Sequence, residues 1–225
     1  MTPGRLGEAL GEVPAPRGSW EHEAVYVSAA AVRAPAAARR LAGRLRRLPG
    51  VAEVRERPNG MLEIVVTDPG EIVTEIIQAA PRSESAAEPH PGWPDTPRTW
   101  DNPGFVVRYA HARAVAVDRW ARDLGVPADG PMGGPDALAG AWDRAVLRVL
   151  AELPSRRARG RVGWASYLVR LALAYHDAHE RAPAVPMGDR PVTPVHAARV
   201  RLARAVRRVL AEGLSALGET PPDRL

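Results

Sequence analysis

From residue 102 to the C-terminus the apolar residues recur at intervals of three and four, the period of an amphipathic helix. Phe105, Tyr109, Ala112, Ala116 and Trp120 form the first such stripe. Asn102-Pro103 opens it with a capping side chain and a first-turn proline, and Gly125 with Pro127 closes it. A second helix is predicted over residues 135–153, its apolar side built on Leu138, Trp142, Val146, Val149 and Leu153. The third spans 161–181, with Trp164, Leu168, Leu171, Leu173 and Tyr175 as core candidates. The fourth begins at Thr193-Pro194, another cap-and-proline pair, and stops at Gly218. Four long amphipathic helices on short connections predict a helical bundle.

Residues 23–80 have a different rhythm. Ala24-Val25-Tyr26-Val27 reads as a short strand, and Pro35 opens a helix to about Leu48 with Leu41, Leu45 and Leu48 on one face. Residues 51–57 and 61–67 read as two strands joined through Pro58-Asn59-Gly60, where Asn-Gly is a strong hairpin signal. Asp68-Pro69-Gly70 then turns the chain into a last helix, giving a small βαββα unit. Residues 1–22, rich in Pro and Gly, are expected to be flexible, and residues 81–100 form a Pro-rich linker. The expected organisation is α+β: a small α/β domain at 23–80, then an all-α bundle at 101–225.

Composition narrows the chemistry. The chain has 225 residues and no Cys, which excludes disulfides, thiolate nucleophiles and Cys-ligated zinc. Its apolar runs fall short of a membrane span, and residues 1–12 lack a secretory pattern, so a cytoplasmic location without membrane contact is expected. Net charge is +5, and every cation is Arg because the chain has no Lys. Guanidinium matches phosphate geometry, so a polyanionic partner fits; Arg-favouring codon usage explains the same bias.

Residues 102–113, Asn-Pro-Gly-Phe-Val-Val-Arg-Tyr-Ala-His-Ala-Arg, resemble the opening helix of the DALR anticodon-binding domain of arginyl-tRNA synthetases. Leu150-Ala151-Glu152-Leu153-Pro154 and Ala174-Tyr175-His176 follow in the family's order, and residues 205–225 look like its closing helix and tail. The resemblance implies recognition of an anticodon loop whose bases splay onto aromatic and backbone surfaces. It makes Tyr109, Ala110 and Arg113 on the first bundle helix, and Tyr175, His176 and His179 on the third, the candidate RNA contacts. Tyr109 shares a stripe with Phe105 and Trp120, so contact and core roles are both open for it. Ala178-His179, Ala182-Pro183 and Leu225 depart from the family pattern where anticodon contacts are expected.

The N-terminal zone has a weaker likeness to the small α/β domain with which these synthetases touch the tRNA elbow. Leu48-Pro49-Gly50-Val51 and residues 58–64 carry it. It implies RNA contact by Asn59 and by Arg40, Arg44 and Arg47, which form a basic stripe opposite the leucines. A similar stripe, Arg201, Arg204 and Arg208, lies on the fourth bundle helix.

The ATP signatures of a class I synthetase core are absent: no His-x-Gly-His motif occurs, and a Lys-Met-Ser-Lys-Ser motif is impossible without Lys. No P-loop, GxSxG or metal-ligand spacing occurs either. The expectation is a non-catalytic tRNA-binding protein with no catalytic residue, metal or cofactor. A protein partner, such as an enzyme that uses aminoacyl-tRNA, is a further expectation. Two alternatives stand beside it: a bundle repurposed for protein interaction, and a tRNA-binding subunit that supports aminoacylation by a separate core.

Overall fold

The computed structural model describes residues 1–32, 35–80, 93–130, 133–160 and 162–225. The first half contains helices α1 (Pro3–Leu10), α2 (Pro35–Leu45) and α3 (Glu71–Gln78), with strands β1 (Ala15–Arg17), β2 (Ala24–Ser28), β3 (Val51–Glu56) and β4 (Leu62–Val66). The strands form one antiparallel sheet in the order β1-β2-β4-β3. Tyr26 lies opposite Ile64, and Ile64 opposite Val54, so all three share one face. That face is buried with Leu6, Leu45, Ile72 and Ile76 from the helices. Antiparallel sheets tolerate water on their second face, and here it carries charge. Glu63 takes Arg57 at 2.5 Å and Arg17 at 3.4 Å, while Arg55 binds both Glu23 and Glu53 at 2.7 Å. Three arginines meet three glutamates, and the face is close to neutral.

Residues 1–22, expected to be flexible, are folded. Thr2 caps α1 through Arg5 N, Pro3 occupies its first turn, and Leu6 is fully buried. Trp20 is buried too, donating its indole N–H to Val25 O at 3.1 Å and meeting Tyr26 edge-on. Burying side chains of this size contributes about 2–3 kcal/mol each, enough to hold a short segment that propensity alone leaves loose.

The second half contains α4 (Pro103–Asp123), a 3-10 turn (Pro135–Leu138), α5 (Ala141–Leu150), α6 (Leu153–Ala158), α7 (Trp164–Arg181) and α8 (Pro194–Ala216). The single helix expected over 135–153 is thus three pieces. Gly140 separates the turn from α5, and Pro154 sits in the first turn of α6, where its missing N–H costs no helical bond. Trp142 and Leu173, expected in the core, are instead exposed. Asp143 fills the buried position beside Trp142, held by Arg199 from α8 through Nε at 3.1 Å and Nη2 at 3.0 Å.

Helix α8 is the spine of the molecule, packing against α4, α7 and α3. Its arginine stripe is engaged in structure rather than free. Arg204 pairs with Asp118 (2.5 Å) and Asp129 (2.6 Å), and Arg201 reaches Gly130 O and Thr74 Oγ1. Arg208 donates to the carbonyls of Ile77 and Ala79 at the C-terminal end of α3, where helical carbonyls have no partner of their own. Through these bonds, and Arg148 Nε on Gly18 O at 2.8 Å, the α/β unit is docked on the bundle.

Residues 81–92 of the expected linker lie outside the described residues; from Trp93 onward the chain is tied to the bundle. Trp93 N–H donates to Glu219, whose carboxylate also takes Arg108 of α4. Gly104 makes room for this strap: a Cβ there would lie 2.4 Å from Pro94 O.

Gly213 of α8 faces a similar constraint. A Cβ there would sit 2.5 Å from Leu168 and 2.7 Å from Trp164 on α7. Alanine gains about 1 kcal/mol in helix propensity over glycine, but overpacking a tight core costs about 1–3 kcal/mol. Gly213→Ala is therefore expected to lower stability by about 1–2 kcal/mol in urea unfolding. A variant as stable as wild type would show that α7 and α8 are not in tight contact.

Candidate nucleic-acid interface

Helices α4 and α7 meet over an aromatic and histidine cluster. Phe105 and Tyr109, one turn apart on α4, stack with centroids 5.4 Å apart, and Trp100 reaches over both at 6.5 and 6.0 Å. His176 from α7 closes the cluster, edge-on to Trp100 at 4.8 Å and tilted against Tyr109 at 5.4 Å.

The hydrogen bonds of His176 define its state. Its Nε2 faces Val106 O at 3.0 Å, and its Nδ1 faces Arg113 Nη1 at 3.2 Å. A carbonyl only accepts and a guanidinium only donates, so Nε2 carries the proton and Nδ1 is bare. Burial, with the Arg113 charge beside it, pushes the imidazole down to about 4. His176 is thus a neutral bridge from α7 to the backbone of α4, buried to 4% exposure and closed to a ligand.

Arg113 is positioned by the same bridge. Its guanidinium lies 4.4 Å from the Tyr109 ring centroid and 3.1 Å from Glu180, a cation–π and ion-pair setting that fixes a flexible side chain.

Along the outer side of α4 runs an open groove of about 450 Å³. Tyr109, Ala112, Ala116 and Trp120 form its floor, His179 one wall, and the tail residues Asp223, Arg224 and Leu225 the other. Arg113 and Arg119 line it as well, and Trp120 is 42% exposed with its ring tilted toward His179 at 6.3 Å. Four residues of the apolar stripe read from the sequence, Tyr109, Ala112, Ala116 and Trp120, thus line the groove. The interior is reached one position on, by Val106, Ala110, Ala114, Val117 and Ala121. His111 pins the tail, its Nδ1–H donating to Pro222 O at 2.8 Å. Burial lowers the pKa of both His111 and His179.

The residues singled out from the sequence separate into three groups. Tyr109, Arg113 and His179 come together in the groove. Ala110, Tyr175 and His176 are buried beneath it, so their side chains are closed to a ligand and act through packing. The Tyr175 hydroxyl has no hydrogen-bond partner among the described residues, and burial raises its pKa. Arg40, Arg44 and Arg47 are exposed on and just after α2, apart from the groove, and Arg44 donates to Ala9 O. Asn59 is a turn residue, its Oδ1 accepting Met61 N–H at 3.1 Å. Sequence reading passed over Trp100, Arg119, Trp120 and Arg224 as contacts; the exposure of Trp120 was signalled by the arginines at 119 and 122 flanking it.

Chemically the groove offers flat rings, guanidinium groups and no nucleophile with an adjacent base. Among the described residues no group of three metal-binding side chains is assembled, and no helix is long and apolar enough to cross a membrane. The chain is similar to the arginine–tRNA ligase of Clavibacter sepedonicus, 41% identical over 135 residues, 57% of this chain and 24% of the ligase. It is similar to that of Frankia alni at 37% identity over 135 residues, 58% of this chain and 24% of the ligase. The chain spans about a quarter of the length of the curated relatives it matches. No protein-family model matches it, and no solved structure does. It therefore contains an arginyl-tRNA synthetase-related region.

His176 sets a pH dependence. Its pKa is about 4 in the folded chain against an ordinary 6.5, so the unfolded chain binds more protons between these values. Stability is then complete above pH 6.5 and falls as the pH drops toward 4, by on the order of 2–3 kcal/mol. Urea unfolding of His176→Gln is expected to lose much of this slope, leaving the part due to His111 and His179. An unchanged slope would place the acid sensitivity elsewhere.

Proposed function

We propose that this chain is a non-catalytic tRNA-binding protein whose bundle is an anticodon-binding domain of the DALR type. The observation that carries the reading is the α4 groove, where the half-buried Tyr109 ring and the exposed Trp120 ring lie beside Arg113, Arg119 and Arg224. Single-stranded RNA is held in this way, with unstacked bases laid on aromatic faces and phosphates met by guanidinium groups. The similarity to arginine–tRNA ligases supports tRNA as the RNA. The exposed Arg40, Arg44 and Arg47 of the α/β unit supply a second contact on the tRNA body, whereas the neutral outer face of the sheet does not.

No bond is made or broken in this mechanism. His176 keeps α4 and α7 in register, Arg113 is held over the Tyr109 ring, and the preset groove accepts bases without ordering costs at its walls. His179, neutral near pH 7 because burial disfavours its charge, offers a ring edge rather than a cation. Of the positions that depart from the synthetase pattern, Ala178-His179, Ala182-Pro183 and Leu225, His179 and Leu225 line the groove, so the preferred anticodon need not be an arginine one.

Filter binding of bulk tRNA across a salt series tests this. Wild type is expected to bind at low salt and to weaken linearly in log–log form. Trp120→Ala is expected to cost about 1–3 kcal/mol, the range for one base–aromatic stack. Absence of tRNA binding at low salt would refute the reading, and capture of a protein by the intact groove would then favour the interaction-module alternative. Aminoacylation by the isolated chain is expected to be nil; product above background would refute its non-catalytic character.

A further inference from the structure

A second depression of about 550 Å³ lies where α8, the C-terminal end of α3 and the tail meet. Its walls include His111, Arg204, Arg207, Arg208 and Asp223. Asp223 also lines the α4 groove, so the two depressions share the tail as a dividing ridge. His111 holds that ridge down through Pro222 O, while neighbouring Ala112 already belongs to the groove floor.

The cations around the ridge are unequal. Arg204 is spent on Asp118 and Asp129, and Arg208 on two carbonyls of the α3 end. Glu212, the other carboxylate of the cleft, is occupied by Arg157 at 2.7 and 2.6 Å. Arg207 stands apart: its nearest carboxylate is Asp118 at 4.0 Å, already held by Arg204, and its side chain is 42% exposed. Arg119 and Arg224, on the groove side, make no ion pair among the described residues. Arg199, Arg201, Arg204 and Arg208 of α8 are all engaged, which leaves Arg207 the least held cation of that helix, with Arg119 and Arg224 across the ridge from it.

We infer that the ridge is a crossing point for a single RNA strand, whose phosphodiester backbone passes from the α4 groove into the α3/α8 cleft and is bound there by Arg207. This rests on the groove being an RNA site and adds a second, sequence-independent contact to it. Arg119 and Arg224 meet the phosphates leaving the groove, and Arg207 meets those arriving in the cleft. Asp223, at the top of the ridge, opposes the passing backbone and sets a ceiling on affinity. The contact is to phosphate and not to a base edge, so it adds affinity and salt dependence without sequence preference.

Fluorescence anisotropy with two labelled, unstructured RNAs separates the parts. A trinucleotide reaches only the groove; a decanucleotide crosses the ridge. Wild type is expected to bind the longer RNA more tightly and with a steeper salt slope. Arg207→Ala is expected to weaken the decanucleotide several-fold, to lower its log–log salt slope by about 0.7, the value for one single-strand phosphate, and to leave the trinucleotide unchanged. Asp223→Asn is expected to tighten the decanucleotide. Arg207→Ala and Asp223→Asn proteins that bind the decanucleotide like wild type, with equal slopes, would overturn the crossing while leaving the groove intact. Failure of wild type to bind either RNA would instead remove the groove reading, and the crossing with it. Both side chains are exposed and make no close bond, so the variants are expected to fold like wild type, which their thermal melting checks.

Discussion

The buried imidazole of His176 is the interaction on which the candidate functional face depends. It takes no charge, because burial and the adjacent Arg113 hold its pKa well below neutrality. Neutrality lets one nitrogen donate to the α4 backbone at Val106 and the other accept from Arg113. Protonation would remove the acceptor and set two cations against each other. The surroundings of the groove follow from this bridge: the distance between α4 and α7, the placement of Arg113 over the Tyr109 ring, and the edge-on packing of Trp100. The residue that matters most to the face therefore never touches a ligand.

Helix α8 plays the corresponding part for the molecule as a whole. Gly213 lets it approach α7 at the distance of a missing methyl, and its arginines reach outward to acids and carbonyls of other elements. Arg208 is the clearest instance, supplying donors where α3 runs out of its own hydrogen-bond partners. The α/β unit and the bundle are joined through that helix end. Most of the positive charge implied by composition is consumed in such internal work. At the tail, Arg119 and Arg224 make no ion pair among the described residues, and Arg207 has only a 4.0 Å approach to Asp118.

Much of the fold was legible in the sequence because local signals were strong. Asn102-Pro103 and Thr193-Pro194 marked helix starts, and Asn59-Gly60 marked the hairpin. The same signal stood at Thr2-Pro3, ahead of Leu6 and Leu10, and was lost among neighbouring glycines and prolines. The broken helix before α7 is explained by Gly140 and Pro154, which periodicity alone overrode. The site was legible only in part. Tyr109, Arg113 and His179, named from the sequence, lie together in the groove, but the stripe of Phe105, Tyr109, Ala112, Ala116 and Trp120 left contact and core roles open, and it is Val106, Ala110, Ala114, Val117 and Ala121 that pack in the interior. Whether an arginine is free or spent is a tertiary fact: nothing near Arg204 or Arg208 in the sequence reveals Asp129 or the end of α3.

The central claim is that single-stranded bases of a tRNA lie on the α4 groove. Photo-cross-linking of 4-thiouridine-substituted tRNA to the intact chain, with the linked peptides identified by mass spectrometry, tests it most directly. Cross-links to the peptides carrying Tyr109 and Trp120, lost on competition with unlabelled tRNA, are the predicted result. Cross-links confined to other surfaces, with the α4 peptides unmodified, would contradict it.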